Sequence, residues 1–157
     1  MTDAAYGVLP PEALRGMAGL DLLRAVAEGR LPGAPIAGLI GFRLVEVEHG
    51  RAVFEGTPGP QHLNPMGGVH GGYAATLLDS CMGCAVHTTL AAGQGYTTLE
   101  LKLSYVRGMT AATGPVRAEG RVLNAGRRAA FAEGRLLDAA GRLVAHGTTT
   151  CMVFSPG

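Results

Sequence analysis

The 157 residues contain no tryptophan, a single lysine at Lys102, and only 16% charged side chains. The formal net charge is +1. A charge so small and balanced gives no basic field, so a nucleic-acid partner is not indicated. Low charge does not mean disorder here, because 47% of residues are hydrophobic and a compact core is expected. No apolar run reaches ~18 residues without a polar or charged interruption, so no transmembrane helix is expected. The start of the chain lacks the basic and apolar regions of a secretory leader. Three cysteines, Cys81, Cys84 and Cys151, form no paired framework. That pattern fits a reducing compartment, and a cytoplasmic location is expected. Cys81-Met-Gly-Cys84 is formally a CxxC, but it lies inside an apolar helical segment rather than after a strand. Both thiols read as small core side chains, with no metal and no cofactor expected. Abundant Ala, Gly and Arg with almost no Lys matches a GC-rich bacterial genome.

The length fits one domain. Residues 10–29 read as one helix, with Pro10 and Pro11 in its first turn. Leu14, Met17, Leu20, Leu23 and Val26 recur at helical spacing, and Gly29 stops it. A linker follows, then a short helix over 35–41. Strands are expected at 42–48 and 51–57, joined by a His49-Gly50 turn. A Pro- and Gly-rich loop covers 58–69. A long helix spans 71–91, its apolar residues surrounding the axis, so most of its faces should be buried. Four strands follow, at 96–107, 114–124, 127–138 and 142–154. Consecutive strands without intervening helices predict an antiparallel sheet with one helix across it. The class is α+β.

The densest chemical signal is Asn64-Pro-Met-Gly-Gly-Val-His70-Gly71-Gly72 followed by a helix bearing one acid, Asp79. A carboxylate in so apolar a segment is costly unless it is used or paired. The start of a helix offers free N–H groups and a partial positive charge. Glycine at 71 and 72 lets a carbonyl approach without a Cβ in the way. Such a donor contributes roughly 3 kcal/mol to an oxyanion when preorganised. Asp79 can act as a general base or as a nucleophile. Eight residues separate Gly71 from Asp79, about 12 Å of helix rise. A reacting carbonyl must lie ~3 Å from both donor and nucleophile. One helix cannot supply both, so a dimer with shared sites is expected.

His62-Leu63-Asn64, Val69-His70-Gly71-Gly72, Ala75-Thr-Leu-Leu-Asp79-Ser80 and Tyr96-Thr-Thr-Leu-Glu-Leu101 together resemble the PaaI-like acyl-CoA thioesterases of the phenylacetate pathway. The resemblance implies a hot-dog fold over residues 36–157, with residues 1–35 as an N-terminal helical extension. It implies Asp79 as the catalytic carboxylate, the Gly71 N–H on the thioester oxygen, Asn64 placing water or thioester, and Thr97 assisting the carboxylate. It also implies an acyl-CoA substrate and a homodimer with shared sites, paired into a dimer of dimers.

Strand parity puts Thr97 with Leu99 and Leu101, facing the helix. His70 caps the helix or orients the loop. Leu78 and Met82 are expected to line an apolar acyl pocket. Arg127 and Arg128 are the preferred contacts for coenzyme A phosphates, ahead of Lys102 and Arg107. His87 and His146 read as core or interface histidines. Two other readings are weaker. A hot-dog dehydratase needs a His paired with an acid, and no Asp precedes a His by about five residues. A regulatory acyl-CoA-binding module needs a DNA-binding domain, which 35 residues with one strong helix do not make.

Overall fold

The computed structural model describes residues 5–155, so residues 1–4 of the extension and 156–157 of the main domain lie outside it. Three short helices come first: α1 (Pro11–Gly16), α2 (Gly19–Ala27) and α3 (Pro35–Ile40). Then come β1 (Phe42–Glu48), β2 (Arg51–Gly56), the long helix α4 (Gly71–His87), β3 (Gly95–Tyr105), β4 (Val116–Ala125), β5 (Ala129–Asp138) and β6 (Leu143–Phe154). A single 3-10 turn at Pro60–His62 interrupts the loop before α4. The six strands form one sheet in the order β1-β2-β4-β5-β6-β3, and every neighbour is antiparallel. This is the expected hot-dog arrangement.

Helix α4 lies against the concave face, with Ala74, Leu77, Leu78, Cys81, Met82, Ala85 and Val86 fully buried. Close approach there depends on a pair of glycines. Gly120 of β4 stands opposite Gly134 of β5. A Cβ on Gly120 would lie 2.3 Å from the Cys81 carbonyl oxygen, and one on Gly134 would lie 2.9 Å from Met82 Cγ. The outer face of β1, β2 and β4 is polar instead. There Arg51 bridges Glu46 and Glu119 at 2.8 Å each, and Arg117 pairs with Glu46 and Glu55.

Two helix boundaries differ from expectation. The helix read over 10–29 is two helices, because Met17 and Ala18 are extended. The Gly19 N–H donates to the Leu90 carbonyl at 3.0 Å instead of to its own helix. A Cβ at Gly19 would stand 1.8 Å from the His87 carbonyl oxygen. Docking on the end of α4 therefore breaks the helix. The long helix ends at His87, not near 91. Thr88 and Thr89 turn their hydroxyls back onto the Ala85 and Val86 carbonyls at 2.6 and 2.7 Å, competing with the helix.

Candidate active site

The loop before α4 is held by its own polar side chains. Buried His62 accepts the Gly59 N–H on Nδ1 at 2.9 Å, and its carbonyl accepts the His70 N–H at 2.8 Å. Asn64 Oδ1 accepts two backbone N–H groups, from Met66 at 2.9 Å and Gly68 at 3.2 Å. The oxygen of the amide is thus spent on closing the loop. What Asn64 has left to offer a ligand is the NH₂ group, a donor and never a base.

His70 is the N-cap of α4, as expected: its Nδ1 accepts the Gly72 N–H at 2.9 Å. Gly72 is therefore engaged by the cap. The Gly71 N–H has no acceptor among the described residues. The Tyr105 hydroxyl donates to the Gly71 carbonyl at 2.7 Å and fixes the first turn. His70, Gly71, Tyr105 and Arg107 border a cavity of 300 Å³. Asn64 sits half-buried on the adjoining loop.

Asp79 lies two turns further along α4. It is half-buried and accepts the Thr98 hydroxyl on Oδ1 at 2.9 Å. Its other oxygen has no partner among the described residues. Asp79, Ser80, Cys84, His87 and Tyr96 form one wall of a second cavity, of 620 Å³. The side chains around the carboxylate are buried titratable groups that feel its charge. Burial, then the Asp79 charge, pushes the Cys84 thiol up to about 12. Burial raises Tyr96 and lowers His87, whose ring centre lies 5.6 Å from that of Tyr96. Burial also raises Cys81. Both thiols of the CxxC are therefore held protonated, and neither is a thiolate nucleophile at neutral pH.

Several expected positions are corrected. Thr97 is exposed and Thr98 meets Asp79, because the β3–β6 register shifts between Thr98 and Glu100. The extra residue, Leu99, is 61% exposed, and parity reverses on its two sides. Leu78 and Met82 do not line either cavity: both are fully buried, packed against Gly134 of the sheet. Arg127 and Arg128 are exposed at the β4–β5 turn and border neither cavity, whereas Arg107 does. His146 is exposed on β6. Thr98, Tyr105 and the cavity-lining residues of the extension had no signal in the sequence beyond the adjacency of Thr98 to Thr97.

A helix that offers a free N–H at its start and a carboxylate in its middle, packed across this sheet, is the arrangement of a hot-dog hydrolase. The chain belongs to the thioesterase superfamily, whose family model matches residues 66–145. A phenylacetic acid degradation-related protein from Ralstonia eutropha is 32% identical, with a TM-score of 0.74 over 82% of this chain and 97% of that one. The phenylacetic acid degradation protein PaaI from Thermus thermophilus is 29% identical, with a TM-score of 0.68 over 75% of this chain and 97% of that one. A Streptococcus mutans protein solved with bound acetyl CoA is 26% identical, with a TM-score of 0.67 over 73% of this chain and 90% of that one. A search of curated proteins found no match. The resemblance to PaaI-like thioesterases is borne out, and the protein is a thioester hydrolase.

Proposed function

We propose that this protein hydrolyses acyl-CoA thioesters at sites shared between two copies of the chain. The observation that carries this is the separation of Gly71 and Asp79, which border different cavities on one rigid helix. A thioester carbonyl oxygen accepts from the Gly71 N–H and the Asn64 NH₂ of one protomer. Asp79 of its partner, oriented by Thr98, takes a proton from the attacking water. The C–S bond breaks, Asp79 returns that proton to the departing coenzyme A sulfur, which leaves as the thiol, and the acyl group leaves as the carboxylic acid. Asp79 attacking the carbonyl directly gives the same products through an anhydride, and burst kinetics separate the two routes. Arg107 beside Gly71 is placed to meet a coenzyme A phosphate. The names of two relatives point to phenylacetyl-type thioesters as one substrate class.

The exposed edge supports pairing. β3 is eleven residues long and has β6 as its single neighbour. Its outward Leu99, Tyr105 and the following Val106 are more than half exposed. A long edge strand with apolar side chains needs covering, and a second β3 covers it.

Complementation tests the shared site. Asp79→Asn and Gly71→Pro chains, each strongly impaired alone, are mixed, unfolded and refolded together. Random pairing of an isologous dimer restores roughly a quarter of wild-type thiol release, because half the dimers each hold one intact site. Mixtures no more active than the parents would sink the shared site.

A further inference from the structure

The 620 Å³ cavity has a wall that the thioesterase chemistry does not require. Much of the lining comes from the N-terminal extension, with Leu9, Leu14, Leu23, Val26, Ala27 and Leu31 bordering the same space as Asp79. The floor is Phe42, Leu44 and Phe54 at the start of the sheet. The extension is hydrogen-bonded to the main domain at two places and closed on itself at a third. Gly19 donates to the Leu90 carbonyl at 3.0 Å, and Gly93 donates to the Leu14 carbonyl at 3.1 Å. Residues 5–7 close the far end, with Gly33 N–H to the Ala5 carbonyl and Gly7 N–H to the Gly33 carbonyl, each at 2.9 Å. The Tyr6 ring fills the space over Gly38, where a Cβ would come within 2.7 Å of it. Residues 5–35 thus form a tied-down part of the lining of the cavity that Asp79 also borders.

We propose that this extension is the acyl-chain pocket, and that it selects thioesters of medium-length aliphatic acids. The proposal rests on the reading of Asp79 as the hydrolytic carboxylate. Two features favour an aliphatic chain over a phenylacetyl group. The part of the lining contributed by α1 and α2 is Leu14, Leu23, Val26 and Ala27, all aliphatic, while the rings of Tyr6, Phe42, Phe54 and Tyr96 lie elsewhere in the lining. The space is also far larger than one ring requires, since a cavity of about 150 Å³ already holds benzene. Placing Asp79 on the cavity wall puts the carbonyl carbon at the mouth and the chain against the extension. Each methylene drawn from water then favours the bound state, by about fourfold in kcat/KM.

The test uses the full chain and a ladder of straight acyl-CoAs from acetyl to dodecanoyl, with phenylacetyl-CoA alongside. Wild-type kcat/KM rises by about fourfold per methylene through the octanoyl range, then levels as the pocket fills. Ala27→Phe fills the pocket and lowers the octanoyl-to-butyryl ratio at least tenfold. Leu31→Ala enlarges the pocket and moves the optimum to longer chains. A ladder that is flat, a phenylacetyl rate above every aliphatic one, or ratios untouched by both substitutions overturns the pocket while leaving the thioesterase standing.

A binding measurement keeps the pocket testable if no thioester releases thiol. The chain has no tryptophan, so Tyr6→Trp introduces a single reporter on the wall. Octanoate shifts its emission and free coenzyme A does not, and the shift disappears in the Tyr6→Trp, Ala27→Phe double variant. A response to coenzyme A in place of octanoate overturns the proposal, because the cavity then holds the pantetheine side of the substrate.

Discussion

The two stretches of α4 at the candidate site are polar in different ways. At its start the useful group is a backbone N–H, left free at Gly71 while His70 engages Gly72 and Tyr105 holds the Gly71 carbonyl. At its middle the group on offer is a carboxylate, held on one oxygen by Thr98 and set beside Ser80, Cys84, His87 and Tyr96. The first stretch offers a backbone group with little room for a side chain beside it, while the second depends on a side chain. A helix is rigid, so about 12 Å of rise cannot be closed by rotamer changes. The difference teaches that the donor and the carboxylate of one helix are too far apart to meet the same carbonyl, and under the proposed function each is completed by a partner chain.

Asp79→Asn strikes the middle and is expected to have the largest effect. It keeps an acceptor for Thr98 but removes the base, and kcat for thiol release falls roughly a thousandfold. Equal turnover by variant and wild type would remove Asp79 from the mechanism.

Gly71→Pro strikes the start. His70 has φ −60° and ψ 137°, a conformation compatible with a following proline, and proline suits the first helical position. The helix therefore survives while the N–H is lost, and kcat falls about a hundredfold. Gly71→Ala keeps the N–H and should lose less, although its Cβ comes within 3.1 Å of the Tyr105 hydroxyl. Asn64→Asp separates the two roles of the amide. It keeps the oxygen that closes the loop and removes the NH₂, so melting is preserved while thiol release drops about tenfold. If both Gly71→Pro and Asn64→Asp hydrolyse normally, the start of α4 is a cap and not an oxyanion site.

Thr98→Val sharpens the middle, removing the hydroxyl from Asp79 and lowering kcat about tenfold. Thr97→Val, on the exposed side of the strand, stays within about twofold of wild type. The reverse order of effects would place the bulge elsewhere.

The smallest effect lies away from both stretches, on the outer face of the sheet. Hydrogen bonds from Arg117 and Arg51 hold the Glu46 carboxyl below its ordinary value of 4.5. A carboxylate depressed by folding stabilises the protein above its unfolded value, and that contribution fades as pH falls through the lower folded value. Melting temperature should therefore decline below about pH 4.5, and Arg117→Gln should flatten that decline. The change is small because these groups are partly exposed to water. Neutral-pH turnover should not follow it, which separates loss of fold from loss of site.

Much of the fold was legible locally. The start of α4 is marked by His70-Gly71-Gly72, the β1–β2 turn by His49-Gly50, and the strands by their spacing and turn residues. The His70 cap and the isolation of Asp79 on an apolar helix were also readable. Thr98 was not, because a bulge at Leu99 reverses parity and leaves no mark in alternating residues. Leu78 and Met82 were misassigned because a helix apolar on most sides does not show which side meets the sheet. The break at Met17–Ala18 was hidden because its cause, the contact of Gly19 with the end of α4, lies far away in the chain.

The sequence by itself determined the class of fold, the free N–H at the head of the long helix, and the acid two turns along it. Those depend on spacing, glycine and a cap, all local. Only the tertiary structure decided that Thr98 holds the acid, that Asn64 has its NH₂ left to donate, and that residues of the extension line the same cavity as Asp79. Those depend on register, on hydrogen-bond partners and on packing between segments distant in the chain, which no local pattern encodes.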